Sequence, residues 1–522
     1  MAKLGYPMIT TIDEALEIIG FGKFNYFIIV FAGLVLNSVV LESVGISFAL
    51  PVLECDLNLT YKQQGVLGAV SFIGIIASSH LWGFLADTTG RKRIMRPALL
   101  MGFIVTVISS FSPNFETLAV TRFLNGFLLS AGSATVFAYL GEFHCPKYRD
   151  RAILSAALIT AFLALLFPLI AWMLINQNWA LQVPILEITY KPWRFYMLAC
   201  GMPELILVLL LTYLPESPKY LLTVGRNEEA ISVLKHIHKW NSIGNSAKAD
   251  KRNFNLTSLS ANEDTSIRSP FIGNNKNVIA NLAYSMWHQT APLFMRTHLK
   301  KTFLASLIQF ITFFTAHGVY MWFPFILDSS MKFTQRYSAT LCLCDILKFT
   351  QTSNFTISEN DFEPVCVEHL EISTYQHTFM LEVIYVLLLM LVIYAIGKFG
   401  RKPILFIILL VCGSCGILAL VVQIPLLSIY LFVILLCCGL ATTVVNAIVV
   451  DIYPTNLRAM AVCMSLMMGR IGSVMGSYIL GLLIDIHCNA ALYSSAGALV
   501  VAGFLSFFLP KPLILNKNHE RI

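Results

Sequence analysis

Charged side chains are scarce in this chain: Asp, Glu, Lys and Arg make up 12% of 522 residues, while 57% are hydrophobic. That balance excludes an ordinary soluble domain, in which roughly a quarter of residues are charged. Also missing are a nucleotide-cradling glycine loop, a nucleophile-and-base arrangement and any spacing suited to zinc, so an enzyme, a cofactor and a bound metal are not expected. No apolar run of useful length precedes Phe24, which leaves no cleavable secretory signal and makes the first long apolar stretch its own insertion signal. The net charge of +7 gathers in a few short loops, which argues for membrane topology rather than a nucleic-acid partner.

What the chain has in abundance is long apolar runs. A span needs about 20 mostly apolar residues to cross roughly 30 Å of hydrocarbon. Twelve stretches qualify: 24–50, 65–86, 97–111, 117–140, 152–177, 195–214, 302–327, 375–396, 404–424, 426–450, 459–484 and 490–509. Helices are the expected form, because backbone groups in lipid must find partners within their own segment or in a closed barrel. An all-α multi-pass membrane protein surrounded by lipid follows. Lys and Arg concentrate in 87–96, 147–151, 398–402 and 511–521, which places both termini in the cytoplasm.

Two landmarks recur in the first and second sets of six stretches. Asp87-Thr88-Thr89-Gly90-Arg91-Lys92 after the second is matched by Gly397-Lys398-Phe399-Gly400-Arg401-Lys402 after the eighth. Glu142, Pro146 and Arg149 after the fourth are matched by Asp451, Pro454 and Arg458 after the tenth. A six-plus-six duplication follows, with a solute site near mid-depth between the halves. The expected organisation is a cytoplasmic 1–23, a bundle at 24–214, a cytoplasmic loop at 215–301, a second bundle at 302–509 with a lumenal or extracellular insertion at 328–374, and a cytoplasmic 510–522. Within the loop, Asn227 to Trp240 reads as an amphipathic helix. The insertion carries the sequon Asn354-Phe355-Thr356, a good glycan acceptor, while Asn58-Leu59-Thr60 lies on the same side but close to the bilayer. Of the cysteines, Cys55, Cys342, Cys344, Cys366 and Cys488 should face the oxidising side, and a disulfide is expected among Cys342, Cys344 and Cys366, its pairing open.

The run Gly83-Phe84-Leu85-Ala86-Asp87-Thr88-Thr89-Gly90-Arg91-Lys92 resembles the loop signature of the major facilitator superfamily, the twelve-helix solute carriers built as two pseudo-symmetric six-helix bundles. Pro215-Glu216-Ser217-Pro218 is similar to a signature of its sugar-porter and organic-cation-transporter branches. Gly20-Phe21-Gly22-Lys23-Phe24, Trp322-Phe323-Pro324 and the glycan-bearing insertion look most like the synaptic vesicle glycoprotein two family. That family's long N-terminal extension is missing from this sequence, and the insertion is shorter than its stacked-repeat domain.

Ionisable groups inside a span are costly and mark function by default. Glu42 and Arg122 fall at matching depth, so an ion pair for gating or proton coupling is expected, with a fixed structural bridge as the alternative. The related families usually carry an Asp where this chain has Val39, so Glu42 would have to stand in for it. Arg470 lies where organic anion carriers have Arg, and the resemblance implies an anionic or neutral solute; alternatively Arg470 neutralises Glu382 or Glu42. Glu204 and Glu382 are expected to reach the interface. Gln309, His317 and Asn446 are polar at mid-depth, with His317 as titrating or packing residue. Trp172 matches a cavity-lining aromatic by resemblance, against a packing role. Gly83 and Gly90 should bring the second and third helices close, while Asp87 caps a helix or pairs across the halves. Arg91, Lys92, Glu142, Arg149, Glu216, Gly400, Arg401, Asp451 and Arg458 complete the expected cytoplasmic gate.

Two functions compete at this point. One is a monomeric secondary carrier moving a small organic solute, anion or sugar, by alternating access in the plasma membrane or a vesicle. The other is a carrier-shaped vesicle protein with a regulatory or trafficking role, its protein partners unknown.

Overall fold

The computed structural model describes residues 8–184, 187–242, 256–259, 290–336, 341–348, 369–453 and 455–510. Twelve of its helices are long and apolar enough to cross a membrane: α1 Lys23–Leu57, α2 Tyr61–Thr89, α3 Arg91–Ser110, α4 Phe115–Glu142, α5 Pro146–Ile175, α6 Pro192–Tyr213, α7 Arg296–Gln335, α8 Ile372–Phe399, α9 Arg401–Val421, α10 Pro425–Ile452, α11 Met460–Ile484 and α12 Ile486–Ser506. They form two six-helix bundles, α1–α6 and α7–α12. Helix α3 begins six residues before the expected 97, so its basic run is helical from the first turn.

Small residues set the closest helix approaches, as expected where lipid removes the hydrophobic drive between helices. A Cβ on Gly74 of α2 would sit 2.2 Å from the Phe123 carbonyl oxygen, and one on Gly126 of α4 2.1 Å from that of Ser71. These helices therefore meet backbone to backbone. Large aromatics lie exposed at helix ends on one face: Tyr26 at the start of α1, Tyr213 at the end of α6, Phe399 at the end of α8 and Phe508 beyond α12. Such a ring of aromatics suits the membrane interface. The same face carries the basic turns and is called the basic face below; the other is the far face.

On the basic face a short helix, Ile12–Ile19, precedes α1. A capping box starts it: Glu14 N donates to Thr11 Oγ1 at 3.3 Å and Thr11 N donates to Glu14 Oε2 at 3.0 Å. Its Ile12, Ala15, Leu16 and Ile19 are buried with Ala230, Leu234 and Ile237 of the amphipathic helix Asn227–Ser242. That helix also holds the start of α1. Phe24 N donates to Asn241 Oδ1 at 3.0 Å, and Asn241 Nδ2 donates to the Gly20 carbonyl at 3.1 Å. Gly22 is required there, since a Cβ would come within 2.5 Å of Asn241 Cγ. Neighbouring His144 is buried, with Nδ1 2.8 Å from the Leu140 carbonyl oxygen. Burial pushes its pKa below the usual histidine value; the Leu140 contact opposes this and the Arg149 charge adds to it.

On the far face a disulfide joins Cys344 to Cys488, tying the α7–α8 insertion to the first turn of α12. This corrects the expected grouping: Cys344 pairs outside it, Cys342 is free, and Cys366 lies outside the described residues. The expected trio omitted Cys488 because it lies 144 residues away in sequence. Cys55 is disulfide-bonded as well. Asn58 is exposed in the left-handed turn between the helical ends of α1 and α2, and Asn354 lies outside the described residues.

Two outcomes are expected. Peptide mapping without reduction should recover the Cys344 and Cys488 peptides linked and Cys342 open to alkylation; an unlinked Cys488 would contradict the fold here. A histidine kept neutral by burial binds its proton more readily once unfolded, so the stability it supports is complete above about pH 6.5 and is lost as pH falls below that value. Thermal unfolding of His144→Gln should therefore depend less on pH between about 7.5 and 5.5 than that of the parent.

Candidate functional site

The first bundle contains a buried ion pair. Helix α1 breaks at Gly45, between Lys23–Val44 and Ile46–Leu57, and side chains cover carbonyls at the break. Tyr196 Oη donates to the Gly45 carbonyl at 2.9 Å, and Arg122 Nη1 donates to that of Glu42 at 3.1 Å. The Arg122 fork then grips the Glu42 carboxylate, Nη1 at 2.7 Å and Nη2 at 3.0 Å from Oε2, with side-chain exposures of 1% and 0%. Thr106 Oγ1 donates to Glu42 Oε1 at 3.0 Å, and Asn125 Nδ2 donates to Thr106 at 2.7 Å. The expected pair is thus formed, within the first bundle.

Glu204 joins this cluster from α6. It is fully buried, with neither carboxyl oxygen hydrogen-bonded among the described residues, and Gly102 of α3 leaves the room it needs: a Cβ there would lie 2.8 Å from Glu204 Oε2. The expectation that Glu204 reaches the interface is therefore wrong, and so is that for Glu382. Glu382 is buried and accepts a 3.0 Å hydrogen bond from Tyr320 Oη. Both acids point along inward helix faces, which a hydropathy window cannot resolve.

The bundles meet along α2 and α11. From the far face inward, Gly65 lies against Ser477 and Gly481, Gly68 against Ser477, Phe72 against His317 of α7, and Ser79 against Arg470. Tyr61 packs on Trp322 and Phe325, Phe48 stacks on Tyr375, and Tyr375 Oη donates to Asn176 Oδ1 at 2.9 Å. Towards the basic face, a Cβ on Gly83 would meet nothing within 4 Å, so Gly83 brings no helices together, contrary to expectation. Among the described residues, the recorded hydrogen bonds and ring contacts between bundles lie between the far face and the level of Arg470.

Arg470 is the charged residue of that seam. Its Nη1 donates to Ser79 Oγ at 2.7 Å and its Nη2 to Ser133 Oγ at 3.4 Å, both on the first bundle. No carboxylate pairs with it among the described residues, so the alternative that it neutralises Glu42 or Glu382 fails. His80 and His317 lie within electrostatic range of Arg470. His317 is also packed: it stacks on Phe72, meets Phe313 edge-on at 4.7 Å, and places Nδ1 3.2 Å from Ser473 Oγ. It sits in Phe314–Val319, a π-helical stretch followed by a 3₁₀ turn at Tyr320–Trp322. Such departures from α geometry are frequent at functional sites. Gln309 Nε2 reaches Asn446 Oδ1 at 3.5 Å within the second bundle. Trp172 is 45% exposed, with its neighbour Met173 exposed as well.

On the basic face each bundle carries an arginine clasp. Arg91 Nη2 binds Asp87 at 2.8 Å and Glu142 at 3.0 Å, so Asp87 pairs within its own bundle and not across the halves. Lys92 N and Arg93 N donate to Glu216 at 3.1 and 3.3 Å. Gly90 is needed at φ +114°, and its missing Cβ would lie 2.6 Å from Glu216 Oε2, so its close partner is Glu216 rather than a second helix. Lys92 Nζ donates to the Leu214 carbonyl at 2.5 Å. The second bundle repeats the pattern: Arg401 pairs with Asp451, Lys402 Nζ donates to the Leu509 carbonyl, and Gly400 takes φ +83°. Arg149 binds the Gly141 carbonyl at 3.1 Å and Asp13 at 3.4 Å, while the Arg458 side chain lies outside the described residues.

Sequence reasoning missed a cluster on the far face. Asp56 binds Lys191 at 2.6 Å and Arg194 at 3.4 Å and accepts from Trp193 Nε1 at 3.1 Å, joining the end of α1 to the start of α6. The signal was present as Lys191-Pro192-Trp193-Arg194, but nothing local names its distant partner.

Residues 23–353 match the sugar (and other) transporter family, and residues 365–521 match the major facilitator superfamily. Synaptic vesicle glycoprotein 2C of Mus musculus is 26% identical over 316 residues, covering 58% of this chain and 43% of that protein. Synaptic vesicle glycoprotein 2B of Homo sapiens is 24% identical over 334 residues, covering 62% and 47%. The chain thus spans less than half the length of these curated relatives. In fold it is similar to the partially occluded, inward-open xylose transporter XylE of E. coli, with a TM-score of 0.63 at 15% identity over 94% of this chain and 100% of that one. It is also similar to an inward-facing bacterial homologue of the human lysosomal transporter Spinster, with a TM-score of 0.58 at 13% identity over 94% and 98%. With twelve candidate spans and a matched segment covering most of its length, this multi-pass membrane protein belongs to the sugar (and other) transporter family of the major facilitator superfamily.

Proposed function

We propose that the protein is a secondary carrier that moves a small organic anion by alternating access, with both termini and the basic face in the cytoplasm. One observation carries the choice of solute: Arg470 stands at the seam between bundles with two serine hydroxyls as its hydrogen-bond partners and two imidazoles nearby. A guanidinium held by neutral groups keeps a fork free in sign for a carboxylate or phosphate. A cation would be repelled there. The seam closed at the far face and ending at the Arg470 level supports a cleft that opens to the basic face, the arrangement in which such a site exchanges with the cytoplasm.

Glu42 with Arg122 is the proposed proton-coupling pair, with Val39 in place of the acid usual in related families. Protonation of Glu42 would release the Arg122 fork, and the fixed bridge at the α1 break would then loosen. The trafficking reading keeps two arguments, since Val39 stands where related families have an acid and Gly397 where the first bundle has Asp87. The retained Arg401–Asp451 pair weighs against it.

Proteoliposome uptake, screened across organic anions, organic cations and sugars, tests the proposal. An anion should accumulate, and Arg470→Gln should raise its KM roughly ten- to a hundredfold, the worth of hydrogen bonds to a charged group. Accumulation of a cation instead would overturn the solute class, and no uptake of any class would favour the trafficking reading. Glu42→Gln should abolish stimulation by an inward proton gradient while leaving counterflow exchange intact; an unchanged gradient response would assign the pair a purely structural part. In unfolding experiments Arg122→Leu should cost about 3–5 kcal/mol by stranding a buried carboxylate, and Glu42→Leu with Arg122→Leu clearly less.

A further inference from the structure

A cavity of about 550 Å³ opens on the basic face between the start of α3 and the helices that follow α6, lined by Lys92, Arg93, Arg96, Arg226, Glu216 and Glu229. Its carboxylates are already committed. Glu216 accepts from the backbone N–H groups of Lys92, Arg93 and Ser217, and Glu229 takes both arms of the Arg226 fork at 2.6 Å. Lys92 Nζ is held by the Leu214 and Thr212 carbonyls, and Glu216 is within electrostatic range of it. Arg93 and Arg96 are exposed, and no ion pair is recorded for either among the described residues. Cations therefore outnumber carboxylates around a space large enough for a small ligand.

Apolar surface continues from this rim. Pro97 and Leu100 complete the cavity wall, and Met101, Ile104 and Ile108 carry an exposed stripe down α3. Charge thus gives way to lipid-facing side chains within about two turns, or roughly 10 Å. That is the profile of a headgroup site and not of a site for a free ion, which would have no use for the stripe. Basic recesses at helix ends on one membrane face suit phosphorylated headgroups.

We propose that this cavity holds the phosphate of an anionic phospholipid, gripped by Arg93 and Arg96 and with its acyl chains along Leu100, Met101 and Ile104. Because Lys92 and Glu216 belong both to the cavity wall and to the clasp around Gly90, the bound lipid also stiffens that end of the first bundle.

Native mass spectrometry and thermal unfolding of the full chain test this, with phosphatidylserine against phosphatidylcholine. Phosphatidylserine should be retained and should raise the unfolding temperature. Arg93→Gln with Arg96→Gln should weaken retention about thirtyfold, and the milder Arg96→Gln alone about fivefold. Lys300→Gln with Lys398→Gln removes the same charge from exposed positions on the second bundle and should change retention little. Equal losses in the two double variants would reduce the effect to bulk charge and overturn the site. Full displacement of the lipid by millimolar inorganic phosphate would assign the cavity to the free ion, and overturn the lipid. Monodisperse elution of each variant establishes that it is folded, and the single Arg96 change decides the matter should the double variant not be.

Discussion

A guanidinium cannot rest in a low-dielectric interior without partners, and this structure is organised around meeting that demand. Arg122 is answered by the Glu42 carboxylate and carbonyl, and Arg91 by Asp87 and Glu142. Arg194 is answered by Asp56 and by the Ser110 and Ser112 carbonyls at 3.2 and 2.6 Å. Each of these arginines joins different helices of the first bundle. Removing one partner would leave a charge stranded, a penalty larger than the net worth of the pair. The first bundle is consequently stapled at both faces and at mid-depth, and it is suited to move as one body.

Among the described residues, the second bundle meets the same demand at its basic face with one carboxylate fewer. Its clasp keeps Arg401, Asp451 and Lys402, yet Gly397 replaces the acid, so Arg401 has one recorded carboxylate where Arg91 has two. On the far face Asp328 does for the second bundle what Asp56 does for the first, pairing with Lys332 at 2.6 Å and accepting from Glu371 N at 2.8 Å to join α7 to the start of α8, and Cys344–Cys488 fastens the insertion to the first turn of α12. Both halves thus carry an arginine clasp on the basic face and an acid that joins two helices on the far face.

Much of this was legible in the sequence, for identifiable reasons. Twelve spans follow from apolar length, and the paired clasps follow from the repeat of Gly90-Arg91-Lys92 in Gly400-Arg401-Lys402. The Glu42–Arg122 pair was legible because two opposite charges at equal depth in lipid have few other options. What was not legible depends on helix rotation and on distant contacts. Depth rises steadily with residue number along a span, but which side of each helix turns towards its neighbours is set by packing, so Glu204 and Glu382 were expected at the interface although both face inward. Gly83 belongs to a signature, yet whether a neighbour lies over it depends on how the bundles are tilted. The helix Ile12–Ile19 did announce itself through Thr11 and Glu14, a capping box that span-counting overlooks.

The seam between bundles is built on different terms from the bundles themselves. Gly65, Gly68 and Gly481 let backbones touch, aromatic rings fill the far end, and Arg470 is held by hydroxyls. Breaking an ion pair in lipid leaves a stranded charge, whereas a serine that loses a guanidinium can turn to its own helix backbone or to water. Separation along the seam therefore costs far less than separation within a bundle. The exception is Arg470 itself, which needs a new partner whenever Ser79 and Ser133 withdraw. The proposed anionic solute would meet that need with its carboxylate or phosphate, so the charge that makes the seam expensive to open empty would also make it cheap to open loaded.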